Sequence, residues 1–199
     1  MKFLIFSSSV RPNRNSDRVV NYIMNYIKSK GHEISHKDPK ELNLPMIQMP
    51  VHWYPNQNDA PENIKHLNKE VQECDGVFLV TAEYNRTIPP ALTNVINHLS
   101  PMSFAFKPSG IVSYSAGGSG GFSALTHCKS FISELGCLIL PESANISFVQ
   151  DVLEENGKTK NDKVTRNIDI VSDQLIYVAD AMKKQRESSS QPPKLHSYV

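Results

Sequence analysis

Apolar and polar positions alternate along this chain in two different rhythms. Short unbroken apolar runs stand at Lys2 to Phe6, Val77 to Val80, Gly110 to Tyr114 and Cys137 to Leu140, and Glu33 to Lys37 is a weaker fifth run. Runs of this length, bounded by polar clusters, predict buried strands. Between them the apolar residues recur at helical spacing. Val19, Val20, Ile23 and Ile27 form one stripe that stops at Lys30-Gly31, and Ile64, Leu67 and Val71 form a second over Pro61 to Cys74. Leu92, Val95, Ile96 and Leu99 follow the double proline Pro89-Pro90. Phe122 to Leu135 predicts a helix stopped by Gly136, and Asp162 to Lys184 predicts the last, striped by Ile168, Val171, Leu175, Val178 and Met182. The segment from Asp38 to Ala60, with four prolines and the only tryptophan, reads as a long irregular loop, a length that implies function or a covering role.

Strands alternating with helices predict an α/β fold: a parallel sheet covered on both faces. Right-handed crossovers leave few topologies, and a flavodoxin-like, doubly wound five-stranded sheet of order 2-1-3-4-5 fits best. The domain is expected to span 1–185, with a polar tail over 186–199. In such sheets ligands bind beyond the carboxyl ends of the strands, near the switch point beside the first strand. The loops after strands one, three and four are therefore the ones to inspect.

Composition narrows the classes. The chain has 199 residues, room for one domain with a substantial core. A net charge of +1 gives no global field for nucleic acid or an acidic membrane, so any phosphate recognition must be local. No stretch approaches the ~18 apolar residues of a membrane span, and the opening apolar run is too short for a signal peptide. Three cysteines, without a CxxC pair, read as reduced, buried thiols of a cytoplasmic protein.

After strand one comes SSSVRPNRNS, residues 7–16, leading into a helix. A helix N-terminus presents unpaired N–H groups and a partial positive charge, which favour a phosphate. Ser9, Asn15 and Ser16 add donors and Arg11 a charge-assisted bond; the plain alternative is a serine-rich turn capped by Asn15 or Ser16. After strand three, Ala82, Glu83, Tyr84 and Asn85 suit the polar edge and face of a flat heteroaromatic ring, or form an ordinary turn. After strand four, Ser113-Tyr114-Ser115-Ala116-Gly117-Gly118-Ser119-Gly120-Gly121 holds four glycines in five residues, which let backbone approach a ligand closely. It lacks the G-x-G-x-x-G spacing of a dinucleotide fingerprint. A phosphate site, a ring-edge site and a glycine-lined site on one edge match the needs of flavin mononucleotide, FMN.

The stretch Thr81 to Asn85, with Pro89, Leu92 and Asn94, resembles the P-E-Y-N-x-S-x-P-x-x-L-K-N motif of the NADPH-dependent FMN reductase family, flavodoxin-like quinone, azo-dye and flavin reductases. Ser9-Val10-Arg11 with Asn15-Ser16 is similar to that family's S-x-R phosphate loop, and Ser115 to Gly118 to its glycine loop. The resemblance implies that Ser9, Arg11, Asn15 and Ser16 hold the FMN phosphate. It implies that Ala82, Glu83, Tyr84 and Asn85 contact the isoalloxazine, largely through backbone, while Ser115, Gly117 and Gly118 line its other end. It further implies NADPH or NADH as co-substrate, small-molecule electron acceptors, ping-pong hydride transfer, and a homodimer or dimer of dimers. Ala82 departs from the family's usual proline, Thr93 from its lysine, and Asn97-His98 from an aspartate and an aromatic. The last three lie on the helix that in relatives is near the subunit interface.

No general acid or base is expected, because the flavin carries the redox chemistry. A non-enzymatic FMN carrier of the flavodoxin kind is the competing reading; such carriers are commonly strongly acidic and have a T-x-T-G-x-T loop, which this chain lacks. His32-Glu33-Ile34-Ser35-His36 spells the zinc-protease pattern H-E-x-x-H, yet follows a helix-ending glycine and reads as a strand. Its rings would then stand about 13 Å apart, and no metal site is expected. The C-terminal Ser197-Tyr198-Val199 could offer a carboxylate to a strand-addition domain, but three residues carry little weight.

Overall fold

The computed structural model describes residues 1–188, 193 and 195. Among them, β1 (Lys2–Ser7), β2 (Glu33–Lys37), β3 (Gly76–Ala82), β4 (Pro108–Tyr114), β5 (Leu138–Ile139) and β6 (Ala144–Ile146) form one sheet. The order is β2-β1-β3-β4-β5, and all pairs are parallel, with Ile5 opposite Phe78 and Leu79 opposite Ile111. The helices are α1 (Ser16–Ser29), α2 (Pro39–Leu42), α3 (Glu62–Glu73), α4 (Pro90–Asn97), α5 (Pro101–Phe104), α6 (Phe122–Glu134), α7 (Val149–Val152) and α8 (Asp162–Ser188).

The doubly apolar strands are explained by two cores. Alternate residues of β1 point to opposite faces: Phe3 and Ile5 join α1 and α8, while Leu4 and Phe6 join α3, α4 and α6. The α1 stripe of Val19, Val20, Ile23 and Ile27 is wholly buried, and Gly31, with φ +79°, takes the left-handed position that ends the helix.

The fifth lane of the sheet differs from expectation. The run Cys137 to Leu140 supplies a strand of only two residues, opposite Pro108 and Ser109. Pro141 follows, and the upper half of β4, Val112 to Tyr114, is paired by β6 instead. Since β3 occupies the other side of β4 along Ser109 to Tyr114, β5 and β6 share one edge as a broken strand. The predicted loop from Asp38 to Ala60 also holds α2 and two single-turn 3-10 helices, Val51–Trp53 and Gln57–Asp59. Asn94 of α4 fastens this segment, accepting from Ile47 N and donating to the Pro45 carbonyl.

Helix α8 continues past Lys184 to Ser188, and Arg186 bonds Asp75 at 2.7 Å. The remaining tail, including Ser197-Tyr198-Val199, lies outside the described residues apart from Pro193 and Leu195. The three thiols are free and buried, and burial pushes Cys74 up to about 11 and Cys128 up to about 12, which makes them poor nucleophiles. The H-E-x-x-H pattern lies at and before β2, where His32 packs edge-on to Phe3 and His36 bonds the Ser7 hydroxyl at 2.9 Å. No helix among the described residues is long and apolar enough to cross a membrane.

Candidate functional site

The carboxyl ends of β1, β3 and β4 are stitched together by serines. Ser8 accepts from the backbone N–H of Ala82 at 2.8 Å, and the Ser9 hydroxyl bonds the Tyr84 hydroxyl at 2.7 Å. The loop after β1 contains two arginines with different employment. Arg14 is nearly buried and donates to the Ser9 carbonyl, to both oxygens of Asp38 and to Asp17. Its bond to Asp38 leads in pushing the guanidinium further up, and Arg14 is spent as a clamp. Burial would raise Asp38, but Arg14 and the Lys40 N–H outweigh it and hold the carboxyl below its ordinary value. Arg18 of α1 is likewise engaged, by Asn15, the Leu153 carbonyl and Glu155. Arg11 alone of the three has no acid partner among the described residues. Its guanidinium carbon lies 3.9 Å from the centre of the Tyr84 ring.

Asn15 occupies the N-cap position of α1, yet its side chain does not cap the helix; its amide oxygen serves Arg18 instead. Ser16 is buried; its hydroxyl lies 3.4 Å from an Asp17 carboxylate oxygen and also near the Tyr114 phenol. The plain N-cap reading of this loop therefore does not hold. The first turn of a 14-residue helix keeps its N–H groups free of side-chain partners, at the switch point of the sheet.

The loop after β3 is a two-residue hairpin. Tyr84 and Thr87 exchange backbone bonds of 3.0 Å, and Asn85 and Arg86 both have positive φ, 50° and 67°. That is a type I′ turn, which an asparagine tolerates and an arginine resists. It is braced from α6, where His127 bonds the Thr87 hydroxyl at 3.1 Å. The Glu83 carboxylate accepts from the N–H groups of Ser123 and Ala124, at 2.9 and 3.4 Å. The side chain of Glu83 thus caps α6 from a residue that also lines the cavity. Glu83→Ala should lower stability by about 1 kcal/mol through loss of a charged helix cap. Urea denaturation checks this, and an unchanged midpoint would show the cap to be idle.

In the loop after β4, Ser115 donates to the Gly117 carbonyl at 2.7 Å and accepts from Gly120 N–H at 2.9 Å. Its hydroxyl shapes the turn. A Cβ on Gly117 would meet nothing within 4 Å, so that stretch of backbone is open to a ligand, while one on Gly118 would reach 3.5 Å from the Phe148 ring. Gly121 has φ +75° and a Cβ there would stand 2.9 Å from the Tyr114 carbonyl, so glycine is required.

A cavity of about 320 Å³ lies among these loops. Ser9, Arg11, Asn15, Ala82, Glu83, Tyr84 and Ser115 line it, joined by Pro12, Asn13, Arg14, Tyr114 and Ala116. Ser16 lies buried at the helix start, Asn85 sits at the hairpin tip, and Gly117 and Gly118 continue the wall without lining the cavity. Larger hollows of about 530 and 610 Å³ lie beside Lys28, His32 and Glu70, and beside Tyr22, Tyr26 and Lys158. The first opens at the amino ends of β1 and β2, and neither meets the carboxyl ends of the strands, where this fold places its ligands. Tyr114 lines the cavity too, at the junction of strand four and its loop, where the sequence assigns it no role. Being the last residue of a buried strand at the ligand edge was its only signal. Its hydroxyl is buried without a hydrogen-bond partner.

A doubly wound sheet with a cation, an uncapped helix start and a glycine-lined wall at its switch point is a flavodoxin-like arrangement whose donors suit a mononucleotide. The family model for NADPH-dependent FMN reductases matches residues 1–151. A quinone reductase of Pseudomonas putida is 30% identical over 148 residues, covering 69% of this chain and 78% of that protein. An NADPH azoreductase of a Bacillus species is 29% identical over 127 residues, 62% of this chain and 69% of that one. Among solved structures, the flavoenzyme NAD(P)H:(acceptor) oxidoreductase FerB of Paracoccus denitrificans superposes with a TM-score of 0.72 at 19% identity, over 92% of this chain and 97% of that one. The chain belongs to the NADPH-dependent FMN reductase family, oxidoreductases that use FMN and a reduced nicotinamide.

The residues present fit that cofactor. The loop end of the cavity offers Arg11, hydroxyls and free helix N–H groups. The acids close by are neutralised, Glu83 by the start of α6 and Asp17 and Asp38 by Arg14. A phosphate dianion placed there meets donors and no bare carboxylate.

Proposed function

We propose that this chain is an NAD(P)H-dependent reductase of quinones, azo compounds or free flavins, working by a ping-pong cycle on FMN held at the ends of β1, β3 and β4. The observation that carries the reading is Arg11, without an acid partner among the described residues, beside an uncapped α1 and on the same cavity as the hairpin and the glycine loop. Ser9, Arg11, Asn15, Ser16 and the first turn of α1 hold the phosphate. Backbone of Ala82 to Asn85 reads one edge of the ring system, and Ser115, Gly117 and Gly118 line the other. Bound FMN supplies the redox chemistry, taking electrons from NADPH or NADH and passing them to the acceptor.

The protein's own part is positional. Glu83 and His127 brace the Tyr84 hairpin against α6, and Arg14 fixes the phosphate loop against β2. Domain 1–185 contains every residue named. Exposed Met46, Trp53 and Met102 on the α4–α5 side favour self-association as a dimer or dimer of dimers. The test is an absorbance spectrum of the purified protein, followed by steady-state turnover of NADPH and NADH with a quinone. Flavin bands and parallel double-reciprocal lines are expected. Flavin binding without steady NAD(P)H consumption would instead make the chain an electron carrier, and no binding of added FMN would overturn the reading.

A further inference from the structure

Among the described residues, three buried side-chain polar atoms lack a hydrogen-bond partner: Nδ1 of His52, Nδ1 of His98 and the hydroxyl of Tyr114. Only Tyr114 lines the cavity at the strand ends. It is 4% exposed, and its ring belongs to the core between the sheet and α1. Phenylalanine would fill the same space without burying an unpaired hydroxyl, which by itself destabilises a fold. Among the described residues no group meets the Tyr114 hydroxyl at hydrogen-bond geometry, although the Ser16 and Ser8 side chains lie near enough to act on it.

Its surroundings indicate what partner suits the hydroxyl. The groups that bear most on the phenol are Ser16, Tyr84, Ser8 and Arg14, all hydroxyls or a cation. Burial pushes the phenol well up, so it is a neutral O–H donor at any ordinary pH. Ser8 accepts from Ala82 N–H and keeps its own O–H, Ser16 likewise carries an O–H, and Arg14 can only donate, so each of these neighbours can offer a donor to the same ligand atom. A donor set against the uncapped start of α1, beside Arg11, suits an oxyanion.

We propose that the Tyr114 hydroxyl donates to the phosphate of FMN and thereby makes this site select the phosphorylated flavin over riboflavin. This rests on the FMN reading above and deepens it, since it assigns a residue from β4 to the phosphate end. The hydroxyl contributes to the phosphate alone, so its removal should leave ring recognition untouched.

The experiment compares Tyr114→Phe with the parent in three measurements. FMN dissociation constants should rise about tenfold in the variant, the scale of one charge-assisted hydrogen bond. Riboflavin constants should not change, so the preference for FMN falls about tenfold. Without flavin, the variant should unfold at the same temperature as the parent or higher. An unchanged FMN-to-riboflavin ratio overturns the proposal. So does a less stable flavin-free variant, because it shows the hydroxyl already bonded within the protein. If the parent binds no FMN, the FMN reading fails separately, and inorganic phosphate then decides the role of Tyr114. A rise in the parent's urea midpoint with phosphate that Tyr114→Phe lacks supports it; equal responses, including none, overturn it.

Discussion

Arg11→Ala is expected to bind FMN about 10- to 100-fold more weakly than the parent while unfolding at nearly the same urea concentration. Hydrogen bonds to charged groups are worth about 1.5–3 kcal/mol, which sets the size of the loss. The side chain is exposed and has no acid partner among the described residues, so its removal strands no buried charge. What the fold loses is the stacking on Tyr84, about 0.5–1 kcal/mol at an exposed site. Arg11→Lys should fall between, because an ammonium keeps the charge but not the planar fork. Flavin fluorescence quenching gives the constants, and the deficit should narrow as salt is added. If Arg11→Ala binds FMN as tightly as the parent, the loop is only a turn and the phosphate reading of it is wrong.

Arg11 and Arg14 also mark where the sequence stops being informative. Both stand in SSSVRPNRNS, and a loop after an apolar strand can be located from periodicity alone. Which arginine is free depends on Asp38, 24 residues away, and on how β2 lies beside β1. That is tertiary information. The same holds for Glu83, whose carboxylate is spent on the start of α6, and for Tyr114, whose burial needs β4, α1 and the β1 loop together. The long elements were legible because burial repeats along them: α1 and α3 carry their stripes into the core as the spacing predicts. Helix α8 does so through Ile168, Val171 and Leu175, after which Ala179 is buried while Val178 and Met182 are only partly covered. β6 was not, because three residues hold no period. They become a strand through the open edge of β4 above Pro141, a demand made by the partner. The four-residue helices α2, α5 and α7 escaped for a related reason, being shorter than any window that could reveal them.

The largest stability loss should come from Arg14→Ala. The Arg14 and Asp38 side chains are 10% and 3% exposed, so deleting the arginine leaves a buried carboxylate without its cation. Breaking such a pair typically costs about 3–5 kcal/mol. The loss also frees the Ser9 carbonyl and Asp17, loosening the loop that carries Ser9 and Arg11. FMN affinity should therefore fall as well, with stability, in contrast to Arg11→Ala. Arg14→Met combined with Asp38→Leu should recover much of the stability, since an apolar pair of similar size avoids both desolvation and the stranded charge. The pH dependence identifies the cause. Asp38 is held below its ordinary value in the fold, so its contribution is complete above the unfolded value near 3.9 and disappears as pH falls through the lower folded one. The gap between parent and Arg14→Ala in urea should be wide at pH 7 and clearly narrower at pH 3. A gap of equal width at both would mean that the arginine stabilises through packing rather than through its charge. A gap below about 1 kcal/mol at pH 7 would place the pair with ordinary surface bridges and remove it as the anchor of the phosphate loop.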